Sequence, residues 1–284
     1  MEEHNLNSWA EFKEVVDQLR KDYGYFEHNN RILFRGQPNL PLKTTLERKN
    51  PFNLTQFNYL LLAMKSVDEV ESYTGKEWGV PDYLILKDEI DKMQKQTWHE
   101  VHFPRSIYSY LIYLRHHGYP SPLLDWTTSP YIAAYFAMCD SPREKSKLLN
   151  GECEMVQDDK VAIYAYIEYL TNIKSLDNPV ITVLRPYINT HRRHFSQKAW
   201  YTVASRWSEE SAIHTYCSHH EVFDSARKSY DVDQDLLLKI TIPTSDRKQA
   251  LKELDTDYNI NNFTLFQTED ALIKTIGMRE FDHE

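Results

Sequence analysis

Glycine is scarce in this chain, seven in 284 residues, and neither GxxxxGKS/T nor GxGxxG occurs. That excludes a glycine-rich phosphate loop and a dinucleotide-binding turn of the Rossmann kind. Cysteine is scarcer still: Cys139, Cys153 and Cys217 are odd in number and form no CxxC. Such thiols build no disulfide framework and suit a reduced, cytoplasmic setting. No apolar run approaches the length of a membrane span, and the acidic opening MEEHNLNSWAEF lacks the apolar stretch of a secretory leader. Positive charge is also in deficit. At a formal −9 the chain has no indiscriminate grip on a polyanion, which leaves nucleic-acid contact to a local basic patch.

What is present suffices for a substantial core, with 41% hydrophobic residues in a length that suits one large domain or two small ones. Ser8-x-x-Glu11 reads as a capping box, and Trp9, Phe12, Val15, Val16 and Leu19 follow at helical spacing, predicting a helix over about 8–21. RILFRGQ predicts a short strand, Ile32 to Phe34, running into polar residues, with Pro38 and Pro41 beyond it. A helix is expected over 54–72, mostly helix over 82–115 with a break near Pro104, and a helix over about 130–140. Strands follow at 160–169 and 236–242, with a weaker one near Phe263–Phe266. A helix at 245–255 lies between the last two, and a final helix ends near Gly277. Residues 145–160 read as a polar surface loop. Helices gather in the first half and strands in the second, with no repeat or linker, so the expected class is α+β.

Three stretches carry groups with chemistry. In LRHHGYPSPLLDWTTSPYIAAYFAM (114–138), Pro130 fits the first helical position and Ser129 the N-cap. The free N–H groups and positive end of that helix face the approach on which Asp125, Trp126, Thr127 and Thr128 lie. His116 and His117, held by Gly118 and Pro120, add donors or acceptors. Taken singly, Asp125 as a local cap and Trp126 as core filling explain these residues equally well. In Phe34-Arg35-Gly36-Gln37, an arginine at a strand end offers a planar fork to phosphate, and the glycine beside it lets a ligand approach the backbone. Gln37 supplies a donor and an acceptor. RPYINTHRRHFSQKAWYTV (185–203) is the one dense basic stretch, placing Arg185, Arg192, Arg193, His194 and Lys198 among Tyr187, Phe195, Trp200 and Tyr201. Aromatics among cations suit a nucleotide or a single strand, and equally a solvated face over an aromatic core.

Metal and nucleophile chemistry find less support. Neither His191-x-x-His194 nor Cys217-x-His219-His220 has a common zinc spacing, so no metal is expected among the 12 histidines, and no G-x-S-x-G elbow occurs. Glu209, Glu210 and Glu221 are acids in an aromatic region, and nothing in their spacing selects one as a base.

The order of the motifs resembles the FRG domain family, named for its first motif, here Phe34-Arg35-Gly36. The second motif matches closely at His116, Gly118, Pro120, Leu123, Leu124, Asp125, Trp126, Thr127, Pro130 and the Ala134-Tyr135-Phe136-Ala137 run. The third is similar at Arg193, Gln197, Trp200 and Tyr201. Pro122 stands where an arginine is usual, and Lys198-Ala199 where a glycine follows the glutamine. The likeness spans about 25–276 and implies one domain over 1–284, with a helical segment at about 50–115.

That resemblance implies an ADP-ribosyltransferase-like split β-sheet and an NAD-dependent transferase, with NAD as substrate and no metal. It further implies a bacterial antiphage or toxin–antitoxin toxin that modifies RNA or a protein and is held in check by a neutralising partner. Arg35, with Gly36 and Gln37, would clamp the pyrophosphate or ribose. Trp126, Thr127, Thr128 and Ser129 would line the nicotinamide side. Arg192, Arg193 and Trp200 would meet the acceptor, near Gln197. Asp125 would face the developing ribosyl cation or orient His116; Gln197 cannot be a base, so either the acceptor needs little activation or Asp125 or Glu221 would supply one. The alternative is a non-catalytic nucleotide-binding or adaptor module. A metal-dependent nuclease ranks behind both.

Overall fold

The first helix shows how local chemistry sets its limits. Ser8 Oγ accepts from the Glu11 backbone N–H at 3.3 Å and starts α1 (Trp9–Tyr23), which buries Trp9, Phe12, Val16 and Leu19. The capping box is only half made, because Glu11 Oε2 accepts from the Asn7 N–H at 2.9 Å and not from Ser8. The computed structural model describes residues 2–24, 30–38, 41–49, 54–96, 103–139, 146–149, 152–155, 160–170, 179–184, 192–208, 210, 213–225 and 235–281.

One open sheet organises the described residues. Its strands are β1 (Glu2–Asn5), β2 (Asn30–Pro38), β3 (Leu124–Thr127), β6 (Lys160–Tyr169), β7 (Val180–Leu184), β8 (Ala199–Ser208), β9 (Ile213–Tyr216) and β10 (Leu236–Pro243), in the order β1-β10-β6-β2-β3-β8-β7 with β9 on β8. β1 runs parallel to β10, and the other pairs are antiparallel. β2 is far longer than the expected Ile32–Phe34. It pairs with β6 from Asn30–Tyr169 to Pro38–Val161, so an apolar partner strand overrides the poor strand propensity of Asn30, Arg35, Gly36 and Gln37. β2 meets β3 through one residue pair, Phe34 with Thr127. The sheet is thus two four-stranded halves joined at one point.

Alternation along β6 separates two cores. Val161, Ile163, Ala165 and Ile167 pack with Phe34, α1, α7 (Pro130–Cys139) and α10 (Arg247–Thr256). Ala162, Tyr164 and Tyr166 face the opposite way, with Leu33, Leu124 and Trp126. A third cluster seats the helical segment on β8: α3 (Gln56–Met64), α5 (Tyr83–Gln96) and α6 (Arg105–His116) bury Leu60, Leu86 and Leu111 near Tyr201 and Val203.

Four expectations are corrected. The helix over 54–72 breaks into α3 and α4 (Val67–Thr74), because Ser66 Oγ caps the Ala63 carbonyl at 2.7 Å and also bonds Tyr110 Oη. Phe263–Phe266 is not a strand but part of α11 (Asn262–Phe266), nucleated by a reciprocal capping box between Asn261 and Thr264. The last helix, α12 (Glu269–Phe281), passes through Gly277; its interior glycine costs about 1 kcal/mol relative to alanine, which packing of Ala271 and Thr275 outweighs. In place of the 145–160 loop, Ser146–Leu149 (β4) and Glu152–Met155 (β5) pair antiparallel; 145, 150–151 and 156–159 lie outside the described residues. The remaining helices are α2 (Thr45–Lys49), α8 (Arg192–Ser196) and α9 (His219–Ser225).

Candidate functional site

A cavity of about 310 Å³ opens where the two half-sheets meet. β2 contributes Phe34, Arg35 and Gly36, and β3 contributes Asp125, Trp126 and Thr127. The end of α6 adds Arg115 and His116, while α7 adds Ala133 and Phe136. Arg193, Gln197, Ala199 and Tyr201 come from α8 and β8, and Phe266 from α11.

Arg35 is held by its neighbours. Its Nη1 donates to the Asp125 carbonyl at 2.8 Å, and its Nε donates to Gln37 Oε1 at 3.2 Å. Gln37 is buried behind it and donates to the Pro41 carbonyl, so it orients the arginine and does not border the cavity. Gly36 borders the cavity and also admits the backbone of α7, since a Cβ there would lie 1.6 Å from the Ala133 carbonyl oxygen.

Asp125 is clamped by a residue the sequence reading passed over. Arg115 donates to both carboxylate oxygens, Nε to Oδ1 at 3.0 Å and Nη2 to Oδ2 at 2.6 Å, and its Nη1 donates to Thr45 Oγ1 at 3.0 Å. Arg35 Nη1 stands 4.0 Å from Oδ2. Burial pushes the Asp125 pKa up, but the two guanidiniums outweigh it and hold the carboxyl below the ordinary range. Asp125 is therefore ionised, is a weak base, and makes no hydrogen bond to His116. His116 Nε2 instead meets Tyr201 Oη at 3.0 Å, and burial lowers its pKa. The described lining carries three guanidiniums, from Arg35, Arg115 and Arg193, against the one carboxylate of Asp125. Such a wall attracts an anion and suits the bidentate fork geometry of phosphate recognition.

The hydroxyl-bearing turn is divided in its duties. Thr127 borders the cavity, with Oγ1 accepting from the Ser129 N–H at 3.1 Å. Ser129 Oγ caps α7 by accepting from the Ile132 N–H at 3.4 Å, and Thr128 is exposed; neither lines the cavity. Trp126 borders it but spends its indole in the core, where Nε1 donates to Thr202 Oγ1 at 2.7 Å. Gln197 is in the wall and donates to the Leu265 carbonyl at 3.4 Å, while the Arg193 guanidinium sits 5.5 Å from the centre of the Phe266 ring. Arg192 is exposed outside the wall. Trp200 lies outside it too, with the Arg31 guanidinium over its ring at 4.4 Å. Glu221 is ion-paired with Arg206 away from the cavity, Glu210 is exposed, and Arg185, Tyr187, His191 and Glu209 lie outside the described residues. No group of three or more potential metal ligands occurs among the described residues, and none of their helices is long and apolar enough to cross a membrane.

The Trp126–Thr202 bond continues to His219 Nε2 at 2.8 Å. The Thr202 hydroxyl is thus shared between the indole N–H and the His219 ring, whose Nδ1 is buried without a partner. Burial lowers the His219 pKa to about 3, against about 6.5 when unfolded. The folded value is depressed, so the stability is whole above pH 6.5 and drains as pH falls towards 3. Urea unfolding from pH 7 to pH 4 should show a steeper loss in wild type than in His219→Gln; equal slopes would refute the assignment.

Comparison with known proteins returns one family. The FRG domain model matches residues 30–146, which include β2, α6, β3 and α7 but stop short of Arg193, Gln197 and Tyr201. No curated protein and no solved structure matches the chain. The matched segment brings Arg35, Gly36, Arg115, His116, Asp125 and Thr127 to one cavity, and over residues 30–146 the chain is similar to the FRG domain.

Proposed function

We propose that the protein is an NAD-dependent ADP-ribosyltransferase, with the dinucleotide bound at the joint between the half-sheets. The observation that carries this is the set of three guanidiniums and one ionised carboxylate around about 310 Å³ of space, beside a wall glutamine. That volume is at the low end for ligand sites, so part of a dinucleotide enters and the rest stays outside. Cleaving the nicotinamide–ribose bond builds positive charge on the sugar, as glycoside cleavage does. The arginines would hold the diphosphate, and the Asp125 carboxylate would stabilise the developing cation from a fixed position. Gln197 would position the acceptor through its amide. The family resemblance extends this reading to a toxin of bacterial antiphage or toxin–antitoxin defence acting on RNA or a protein, restrained by a neutralising partner.

A second reading, a nucleotide-binding module without turnover, draws support from the engagement of Asp125 by Arg115 and the absence of a carboxylate at Gln197. One experiment separates the two. Protein is incubated with NAD labelled in the adenylate phosphate, together with total RNA or lysate. Transfer of label to a macromolecule with release of nicotinamide is the expected result. Binding of NAD without release of nicotinamide would establish the module in its place.

A further inference from the structure

One assembly in the cavity wall has no part in dinucleotide binding: a phenol held between two imidazoles. Tyr201 Oη lies 3.0 Å from His116 Nε2 and 3.1 Å from His194 Nδ1. His116 and Tyr201 border the cavity; His194 is buried, its ring stacked on Tyr201 at 5.6 Å and 18°. A phenol donates one proton and accepts others. Both contacts are made when one imidazole N–H donates to Oη and Oη–H donates to the bare nitrogen of the other ring. Reversing both bonds carries one proton's charge from one ring to the other.

We propose, on the basis of the transferase reading, that His116, Tyr201 and His194 form one proton-accepting unit that takes the proton of the attacking acceptor. As the acceptor's oxygen or nitrogen bonds to C1′ of the ribose, the C1′–nicotinamide bond breaks and its electron pair leaves with neutral nicotinamide. The acceptor's proton passes to Nδ1 of His116, whose Nε2 carries the ring proton in the neutral state. Nε2–H then passes to Oη, and Oη–H to His194 Nδ1, so one proton enters and nothing is oxidised or reduced. His116 is the catalytic residue; Tyr201 and His194 are positioning residues.

The other candidate bases are occupied or inert. Asp125 is held in two hydrogen bonds by Arg115, Glu221 is paired with Arg206 outside the cavity, and the Gln197 amide has no basic lone pair at neutral pH. The charged and titratable groups around His116 are Arg115 on its own helix, Asp125 on β3, Arg193 and His194 on α8, and Tyr201 on β8, with Tyr108 edge-on to Tyr201. Burial lowers the His116 pKa, Asp125 raises it, and Arg115, His194 and Arg193 lower it, so the ring is neutral and able to accept. A diphosphate among the arginines offsets their repulsion and strengthens the base as substrate enters.

The test uses Tyr201→Phe, which keeps the ring and removes the relay, with His194→Gln as a second break and His116→Gln as the full loss. Long-range imidazole NMR across pH should show His116 and His194 titrating as a linked pair in wild type and separately in Tyr201→Phe. With labelled NAD, His116→Gln should lose about 10²-fold in transfer rate at unchanged NAD affinity. Tyr201→Phe and His194→Gln should lose less but displace the acid limb of the pH–rate profile. Independent titrations, or an acid limb unmoved in all three variants of an active protein, would overturn the unit while leaving the transferase reading intact. Wild-type protein inert towards NAD would overturn that reading itself, and the linked titration would still report the relay.

Discussion

Arg35→Ala should cut transfer of label from NAD by about 10²–10³-fold, the usual consequence of removing one fixed donor from a site where charge develops. The fold should survive. The side chain makes single bonds to the Asp125 carbonyl and to Gln37, and Asp125 keeps its two-point contact with Arg115, so the loss of stability is about 1 kcal/mol. Arg35→Lys is the sharper probe. It preserves charge but lacks the planar fork that lets Nη1 and Nε satisfy two partners while facing the cavity, so it should recover only a minor part of the rate. Transfer assays beside thermal melts check both variants. A lysine variant at full rate would mean that charge alone is needed, and an alanine variant at full rate would remove Arg35 from the mechanism.

The largest effect on stability is expected at Gly36. A Cβ would press on main-chain atoms, 1.6 Å from the Ala133 oxygen, 2.6 Å from its carbonyl carbon and 2.9 Å from the Ala137 nitrogen. No side chain can rotate to make room, so β2 and α7 must separate. Gly36→Ala should cost about 3 kcal/mol, or roughly 6–10 °C in Tm for a chain of this size. Nucleotide binding should weaken with it, because Arg35 rides on the same strand. Adding Ala133→Gly should not rescue the variant, since the obstructing atoms are backbone. Rescue by that second change would show that the crowding involves the alanine methyl and not the carbonyl.

Much of the site was legible because it lies in compact runs. Strand, arginine and glycine are consecutive in β2, and Pro130 with Ser129 marks the mouth of α7 directly after Asp125. What local patterns do not encode is who faces whom. Arg115 sits one residue before a histidine already singled out, yet as the last turn of an amphipathic helix it reads as a solvated cation. Only the return of the chain ten residues later brings Asp125 under it. Tyr201 and His194 read as an aromatic and a cation in a basic stretch, and the contacts of Tyr201 with both His116 and His194 arise from three separate elements. Gly36 was legible as a neighbour of the site, but not the demand made on it by a helix about a hundred residues away. The strand expected at Phe263–Phe266 failed more simply: a short apolar run has no period, and the deciding signal was the Asn261–Thr264 cap.

The seam between the half-sheets gives one side chain two duties. In-sheet contact across it is the Phe34–Thr127 pair, and the Arg35 bond to the Asp125 carbonyl is a lace drawn across the same gap. An anion that pulls the guanidinium towards itself competes with that lace. Under the transferase reading proposed above, loading the pocket with an anion and slackening the seam then become a single event.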